Sequence, residues 1–202
     1  MNRTFRILLL SGNPNAGAFG ERLSQAGCDV ASFHQELAAD DLAELKPDLT
    51  VSYNYRHIIS PRTIEAADGR IVNMHISMLP WNRGASPNLW SIIDNTPRGV
   101  TIHRIDAGLD TGEIILQRQL EFDENRETLS SSYDALQKAV TDLFLANLAM
   151  FASGIIASRP QPQGGTCHRR KDLLRLLGTE DIDYGMKISE FRHLADEMKR
   201  RL

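Results

Sequence analysis

The chain has 202 residues, with 23 Lys+Arg against 26 Asp+Glu, six His and two Cys, and a formal charge of −3. Such a length suits one domain with a full buried core, and the near-neutral balance argues against a generally basic nucleic-acid binder. Cys28 and Cys167 fall in no paired spacing, which argues against a disulfide scaffold or a zinc framework and makes a reducing cytoplasm the expected compartment.

The longest early apolar run, Ile7-Leu8-Leu9-Leu10, is too short for a signal segment or a membrane span. It reads as the end of a buried strand over 6–10, closed by Ser11-Gly12-Asn13-Pro14-Asn15. Helical spacing follows over 17–27 and again over 37–45, and Pro47 ends the second stretch. A strand is expected over 49–53, a helical turn opening at Ser60-Pro61, and strands over 71–76, 99–105 and 113–122, the last near a sheet edge. From Glu127 the period changes. Leu129, Tyr133, Leu136, Val140, Leu143, Phe144, Leu148 and Phe151 form a stripe that predicts one long helix ending near Gly154. Arg159 to Gly165 reads as a linker, and two amphipathic helices follow over 171–177 and 188–202. Strands alternating with helices predict an α/β, Rossmann-like fold: a mostly parallel twisted sheet with helices on both faces and a short helical C-terminal appendage. The expected division is a catalytic domain over 1–158 and a linker with C-terminal helices over 159–202.

Two clusters carry chemistry. The first is Asn73-Met74-His75-Ile76-Ser77-Met78-Leu79-Pro80-Trp81-Asn82-Arg83-Gly84. Asn73 and His75 are two apart on a strand, so they share a face, where polar groups are costly unless satisfied or used. An isolated Asn-x-His also reads as a satisfied histidine at a strand end. The second cluster runs Gly99-Val100-Thr101-Ile102-His103-Arg104-Ile105-Asp106-Ala107-Gly108-Leu109-Asp110-Thr111-Gly112-Glu113-Ile114-Ile115. Its loop lets the backbone approach a ligand closely, though alone it also reads as an ordinary Asp- and Gly-rich turn.

Taken together, the two clusters resemble the folate-dependent formyltransferases, a family that includes the glycinamide ribonucleotide enzymes, the catalytic half of methionyl-tRNA formyltransferase, and the N-formyltransferases of nucleotide-linked amino sugars. The resemblance is close over 71–117 and extends in element order over about 6–153. It implies a catalytic trio of Asn73, His75 and Asp110, and 10-formyltetrahydrofolate as formyl donor. Tyr53, Tyr55 and Ile58, with Asp106, Ala107, Gly108 and Gly112, are the expected cofactor-binding residues. Asn13, Ser77, Trp81 and Arg83 are the expected acceptor-binding residues, and no metal is implied. His103 is expected to be a packed structural histidine, and Asp106 to pin its loop. In that chemistry a neutral amine attacks the formyl carbon. Asn73 and a protonated His75 donate to the developing oxyanion, and Asp110 favours the imidazolium and orients it.

The acceptor is the open question. Pro14 removes a backbone donor where a phosphate cradle wants one, which departs from the glycinamide ribonucleotide pattern. The 48 residues after Gly154 leave no room for a barrel-like tRNA-binding domain. The segment from Pro80 to Trp90 is similar to amino-sugar formyltransferases, and also to formylation domains of peptide synthetases. The expected acceptor is therefore a primary amine on a nucleotide-linked deoxyamino sugar, with an ornithine-type siderophore precursor as runner-up. An inactive folate-binding or docking domain is the non-enzyme alternative. No nucleic acid or membrane partner is expected, and the oligomeric state stays open, a homodimer included.

Overall fold

Ile7 to Leu10 are all buried, because the strand they form lies inside a sheet covered on both faces. The computed structural model describes residues 3–12, 15–179 and 181–201. Along the chain come β1 (Arg6–Leu10), α1 (Asn15–Gln25), β2 (Asp29–Phe33), α2 (Ala39–Leu45), β3 (Leu49–Tyr53), α3 (Pro61–Ala66) and β4 (Ile71–His75). Next are β5 (Arg83–Gly84), α4 (Pro87–Ile93), β6 (Gly99–Arg104) and β7 (Ile114–Gln119). The chain ends with α5 (Leu129–Ala146), α6 (Leu148–Ala152), β8 (Cys167–His168), α7 (Arg170–Leu177) and α8 (Ile188–Arg201).

The main sheet has the order β2-β1-β3-β4-β6-β7, and β5 pairs with β8 in a second, two-stranded ladder. The first four strands are parallel. Then the direction switches. The Ile105 N–H donates to Ile71 O at 3.3 Å, and the Asn73 side chain lies across from His103, so β6 runs against β4. Bonds from Arg104 N–H to Glu113 O and from Leu120 N–H to Arg98 O run β7 against β6 in turn. The sheet is therefore mostly parallel, of the α/β Rossmann-like type that the sequence pattern predicts.

The chain forms two compact units. The first holds residues up to 75, 102–116 and 141–160. Alternation along β1 splits its core. Leu8 and Leu10 pack with Leu37, Leu42, Ala67 and Ile71 on one face. Leu9 points the other way, to α1, where a Cβ on Gly20 would stand 3.6 Å from Leu9 Cδ2. Phe19 of α1 meets Tyr53 and Phe144 edge-on at 5.7 and 5.6 Å.

The second unit holds 76–101, 117–140 and the chain from 161 onward. Leu89, Trp90, Ile92 and Ile93 of α4 share a core with Leu129, Leu173, Leu176, Ile188 and Phe191. The amphipathic stripes of α7 and α8 are buried against α4 and the start of α5.

Three departures from the sequence reading have local causes. β2 was not expected, because an edge strand with a half-exposed pattern shows no strong alternation. α4 was not expected because Asn88 to Ile93 are all buried, so no polar face marks a helical period. The long helix breaks after Ala146, where the Asn147 side chain donates to Leu143 O at 2.8 Å and competes with the backbone ladder. Among the described residues no helix is long and apolar enough to cross a membrane, and no cluster of His, Cys, Asp and Glu is placed to hold a metal ion.

Candidate active site

Strand geometry puts Asn73 and His75 on one face of β4. The antiparallel turn of β6 then brings His103 opposite Asn73, and the Asn73 Nδ2 donates to His103 Nε2 at 3.2 Å. The other ring nitrogen, His103 Nδ1, lies 2.7 Å from Arg104 O, a contact that only an N–H satisfies. His103 Nε2 also stands 3.4 Å from Asp110 Oδ1, so Asn73 and His103 face the same carboxylate oxygen. Asn73 Nδ2 also donates to Asp110 Oδ1 at 3.1 Å. The second carboxylate oxygen of Asp110 stands 3.7 Å from His75 Nδ1, within Coulombic reach but long for a direct hydrogen bond.

Both histidines are buried, and the Asp110 side chain is only 13% exposed. Their rings meet edge-on at 6.2 Å. With little water present, the carboxylate acts strongly on any positive charge that develops on His75.

Asp110 arrives on a loop whose shape its own residues impose. Asp106 Oδ1 accepts from Gly108 N–H at 3.0 Å and from Thr111 Oγ1 at 2.7 Å. A Cβ at Gly112 would fall 1.8 Å from Arg104 O, so only glycine lets the loop close onto the strand it left. Asp110 itself is left-handed, at φ 53°, a conformation that costs free energy and is held by its surroundings. The loop's base is clamped as well. The Arg104 guanidinium donates to Ser158 Oγ, Gly69 O and Ile156 O, and Ile114 and Arg159 exchange backbone bonds at 2.8 and 2.9 Å.

The other sequence-predicted residues divide sharply. Ala107 and Gly108 are exposed on the loop, Leu109 beside them is 52% exposed, and Ile58 is 88% exposed. Gly112 is buried and serves the turn. Tyr53, expected to wall the cofactor, is buried in the core beside Phe19, so its ring offers no ligand surface. Tyr55 is tied down by the Leu37 N–H and by Gln35 O, and burial pushes its phenol above the ordinary value.

In the second unit, Ser77 is buried, and its hydroxyl donates to Trp81 O at 2.7 Å. That corrects its expected acceptor role: it pins a loop. Trp81 is 37% exposed. The Arg83 guanidinium is engaged by Gln161 Oε1 at 2.8 and 3.1 Å, so it too holds the chain in place. Asn13 lies outside the described residues. His103 is packed and hydrogen-bonded as expected, and the antiparallel register of β6 adds that its partner is Asn73.

The protein-family model described as Formyl transferase matches residues 14–148. Among curated relatives, "Methionyl-tRNA formyltransferase" of Koribacter versatilis is 32% identical over 162 residues, covering 80% of this chain and 48% of its own length. The same-named protein of Anaeromyxobacter dehalogenans is 35% identical over 161 residues, covering 78% and 49%. The chain thus spans about half the length of the curated relatives it matches. Among solved structures, the formyltransferase PseJ from Anoxybacillus kamchatkensis, in complex with UDP-4,6-dideoxy-4-formamido-L-AltNAc and tetrahydrofolate, superposes with a TM-score of 0.83. It is 37% identical, and the match covers 94% of this chain and 99% of that one. Rv3404c, described as a likely sugar N-formyltransferase from Mycobacterium tuberculosis, gives 0.78 at 26% identity, covering 95% and 87%.

Proposed function

The chain belongs to the formyl transferase family, and on that premise we propose that it is a folate-dependent N-formyltransferase acting on the primary amine of a nucleotide-linked deoxyamino sugar. The observation that carries the reaction is the meeting of Asn73, His75 and Asp110 within one compact unit.

10-Formyltetrahydrofolate supplies a formyl carbon open to attack by an amine. The loops of the first unit offer surface to a flat, partly polar ring: Ile58 on one loop is exposed, and Leu109 on another is exposed next to exposed Ala107 and Gly108. Asp106 shapes that loop. The reading therefore keeps Ile58, Ala107 and Gly108 as cofactor contacts, adds Leu109, and gives Tyr53 and Tyr55 structural work.

Acyl transfer needs a donor aimed at the developing oxyanion and a place for the amine's proton. With Nδ1 turned to Asp110, His75 Nε2 is the donor that we assign to the oxyanion. Asp110 faces the charged ring, and its carboxylate takes up the amine proton directly or through one water and passes it to the folate nitrogen, whose bond to the formyl carbon breaks as the oxyanion collapses and tetrahydrofolate leaves. Asn73 has two amide protons, both committed, to Asp110 and to His103. Its first task is to hold Asp110 toward His75, and it joins the oxyanion by exchanging the 3.2 Å bond to His103.

The acceptor assignment is supported by the near end-to-end match to PseJ and by the Pro80–Trp90 segment. A tRNA acceptor is the second reading, favoured by the names of the curated relatives. A kinetic panel separates them, using a UDP-linked 4-amino-4,6-dideoxy sugar, an ornithine-type amine, glycinamide ribonucleotide and methionyl-tRNA. The sugar is expected to lead in kcat/KM by about tenfold or more, which is about 1.4 kcal/mol of transition-state binding. A lead by any other acceptor overturns the sugar assignment, and transfer to none overturns the activity.

A further inference from the structure

Trp81 is more than a third exposed, yet its neighbour Pro80 is buried and Asn82 is 0% exposed. An indole held out from a loop whose adjacent residues are packed away is an arrangement with a cost. Asn82 beside it sits at φ 57°, in the left-handed region. Trp81's own backbone is held locally, its N–H donating to Met78 O at 3.0 Å and its carbonyl accepting from the Ser77 hydroxyl at 2.7 Å, and the residues on either side of it are fixed by the segment from Gln161 to His168.

One residue of that segment brackets Trp81. The Thr166 N–H donates to Pro80 O at 3.3 Å. Its hydroxyl accepts from Asn82 N–H at 2.8 Å and donates to Asn82 Oδ1 at 3.1 Å. Its carbonyl accepts from Arg83 N–H at 3.0 Å. Thr166 therefore ties down the residue before Trp81 and the two after it. Around it, a Cβ on Gly165 would lie 2.1 Å from Pro80 O, and Gln161 holds the Arg83 guanidinium. The far end is anchored by His168, which stacks on Trp90 at 3.8 Å with 4° between the planes. The Asn82 amide donates to Thr96 Oγ1 at 2.7 Å, so every polar group of the Asn82 side chain serves this lock.

We infer that Thr166 is a positioning residue that sets the Trp81 indole as an aromatic platform for the flat base of a nucleotide-linked acceptor. The inference rests on the acceptor class proposed above. The hydroxyl is the operative group, since the two backbone bonds of Thr166 survive a change of side chain.

The test compares Thr166→Val, which keeps shape and removes the hydroxyl, with Thr166→Ser, which keeps the hydroxyl. With a UDP-linked 4-amino-4,6-dideoxy sugar as acceptor, Thr166→Val is expected to raise the acceptor KM by about tenfold, with kcat changed by less than about threefold. Tetrahydrofolate affinity stays at the wild-type value, and Thr166→Ser restores the KM. In a Trp81→Ala background the Thr166→Val penalty vanishes, because the two residues act as one unit. An unchanged KM, a penalty that persists without Trp81, or an equal loss of folate affinity overturns the inference. A second arm needs no turnover. The chain has two tryptophans, so Trp90→Phe leaves Trp81 as the sole indole fluorophore. Acrylamide quenching of Trp81 is expected to change when Thr166→Val is added. Unchanged quenching overturns the positioning even if the acceptor class is right. Changed quenching in a protein that formylates no amine overturns the function and leaves the lock standing.

Discussion

Two polar regions of this molecule spend their hydrogen bonds differently. Around β4 and β6, side chains bond mainly to side chains: Asn73 to His103 and Asp110, with His75 and Asp110 3.7 Å apart. Around the 77–86 loop, side chains bond mainly to backbone or to the chain that frames it: Ser77 to Trp81 O, Thr166 to Asn82 N–H, Gln117 to Leu79 O. The first pattern is a network whose charge and protons can be redistributed, which is what chemistry requires. The second fixes a backbone path and leaves one aromatic ring outward, which is what positioning requires. The contrast is between facing titratable groups in the first region and a fixed backbone path in the second.

The largest effect that could break this division is on turnover. Asn73→Ala, His75→Ala and Asp110→Ala are each expected to lower kcat on the order of 10²–10³-fold. Tetrahydrofolate affinity, measured by intrinsic fluorescence or calorimetry, should move far less, because the roles proposed for these groups act on the transition state. Wild-type turnover in His75→Ala would place the chemistry elsewhere.

Gly112→Ala probes the loop that delivers Asp110. Its Cβ has no room, 1.8 Å from the Arg104 carbonyl, so the loop must shift. Thermal unfolding should show a loss of about 1–3 kcal/mol, with kcat falling alongside. Full stability together with full activity would show that the loop is far more pliable than its contacts imply.

Much of the first region could be read from the amino-acid sequence. Asn73 and His75 stand two apart on an apolar strand, and Asp110 follows 35 residues after His75 in a glycine-flanked loop. What could not be read was register. That His103 is packed was legible, but its partner was not, because nothing in the sequence states that β6 reverses direction and so sets it opposite Asn73. Tyr53 failed as a cofactor contact for a related reason. Its position at the end of β3 was right, but the face it occupies belongs to Phe19 of α1. The second region was legible only as a motif. Ser77 and Arg83 looked available for an acceptor until their partners were known: the Ser77 hydroxyl bonds to Trp81 O, four residues on, and Arg83 to a residue 78 positions away.

A purely structural cluster supplies the control. Glu124 is held by Arg192 and Arg98, and the two guanidinium groups lower its carboxyl to about 2. A carboxyl lowered on folding contributes stability above its unfolded value, and that contribution is lost as pH falls from about 4.5 toward about 2. In that window the stability of wild type should fall relative to Glu124→Gln by on the order of 1–2 kcal/mol. At neutral pH Glu124→Gln should be less stable than wild type, while acceptor selectivity stays unchanged. A parallel loss of stability with pH in both proteins would show that this cluster contributes nothing to acid unfolding.

The smallest expected effect concerns the exposed apolar side chains. Leu109→Ser and Ile58→Ser should each weaken tetrahydrofolate binding by a few-fold, since each removes a modest apolar contact of about 1 kcal/mol. Melting temperature should barely change, because both residues are exposed. Unaltered affinity in both variants would remove these loops from the cofactor site.

The most direct test of the central claim is product detection. Purified protein is mixed with 10-formyltetrahydrofolate and a UDP-linked 4-amino-4,6-dideoxy sugar, and the sugar nucleotide is followed by mass spectrometry, with the His75→Ala protein run beside it. The account predicts a formamide product from wild type and a yield reduced on the order of 10²–10³-fold from the variant at equal time. Equal yields from the two proteins, or no formylated amine from wild type with any acceptor of the panel, would contradict it.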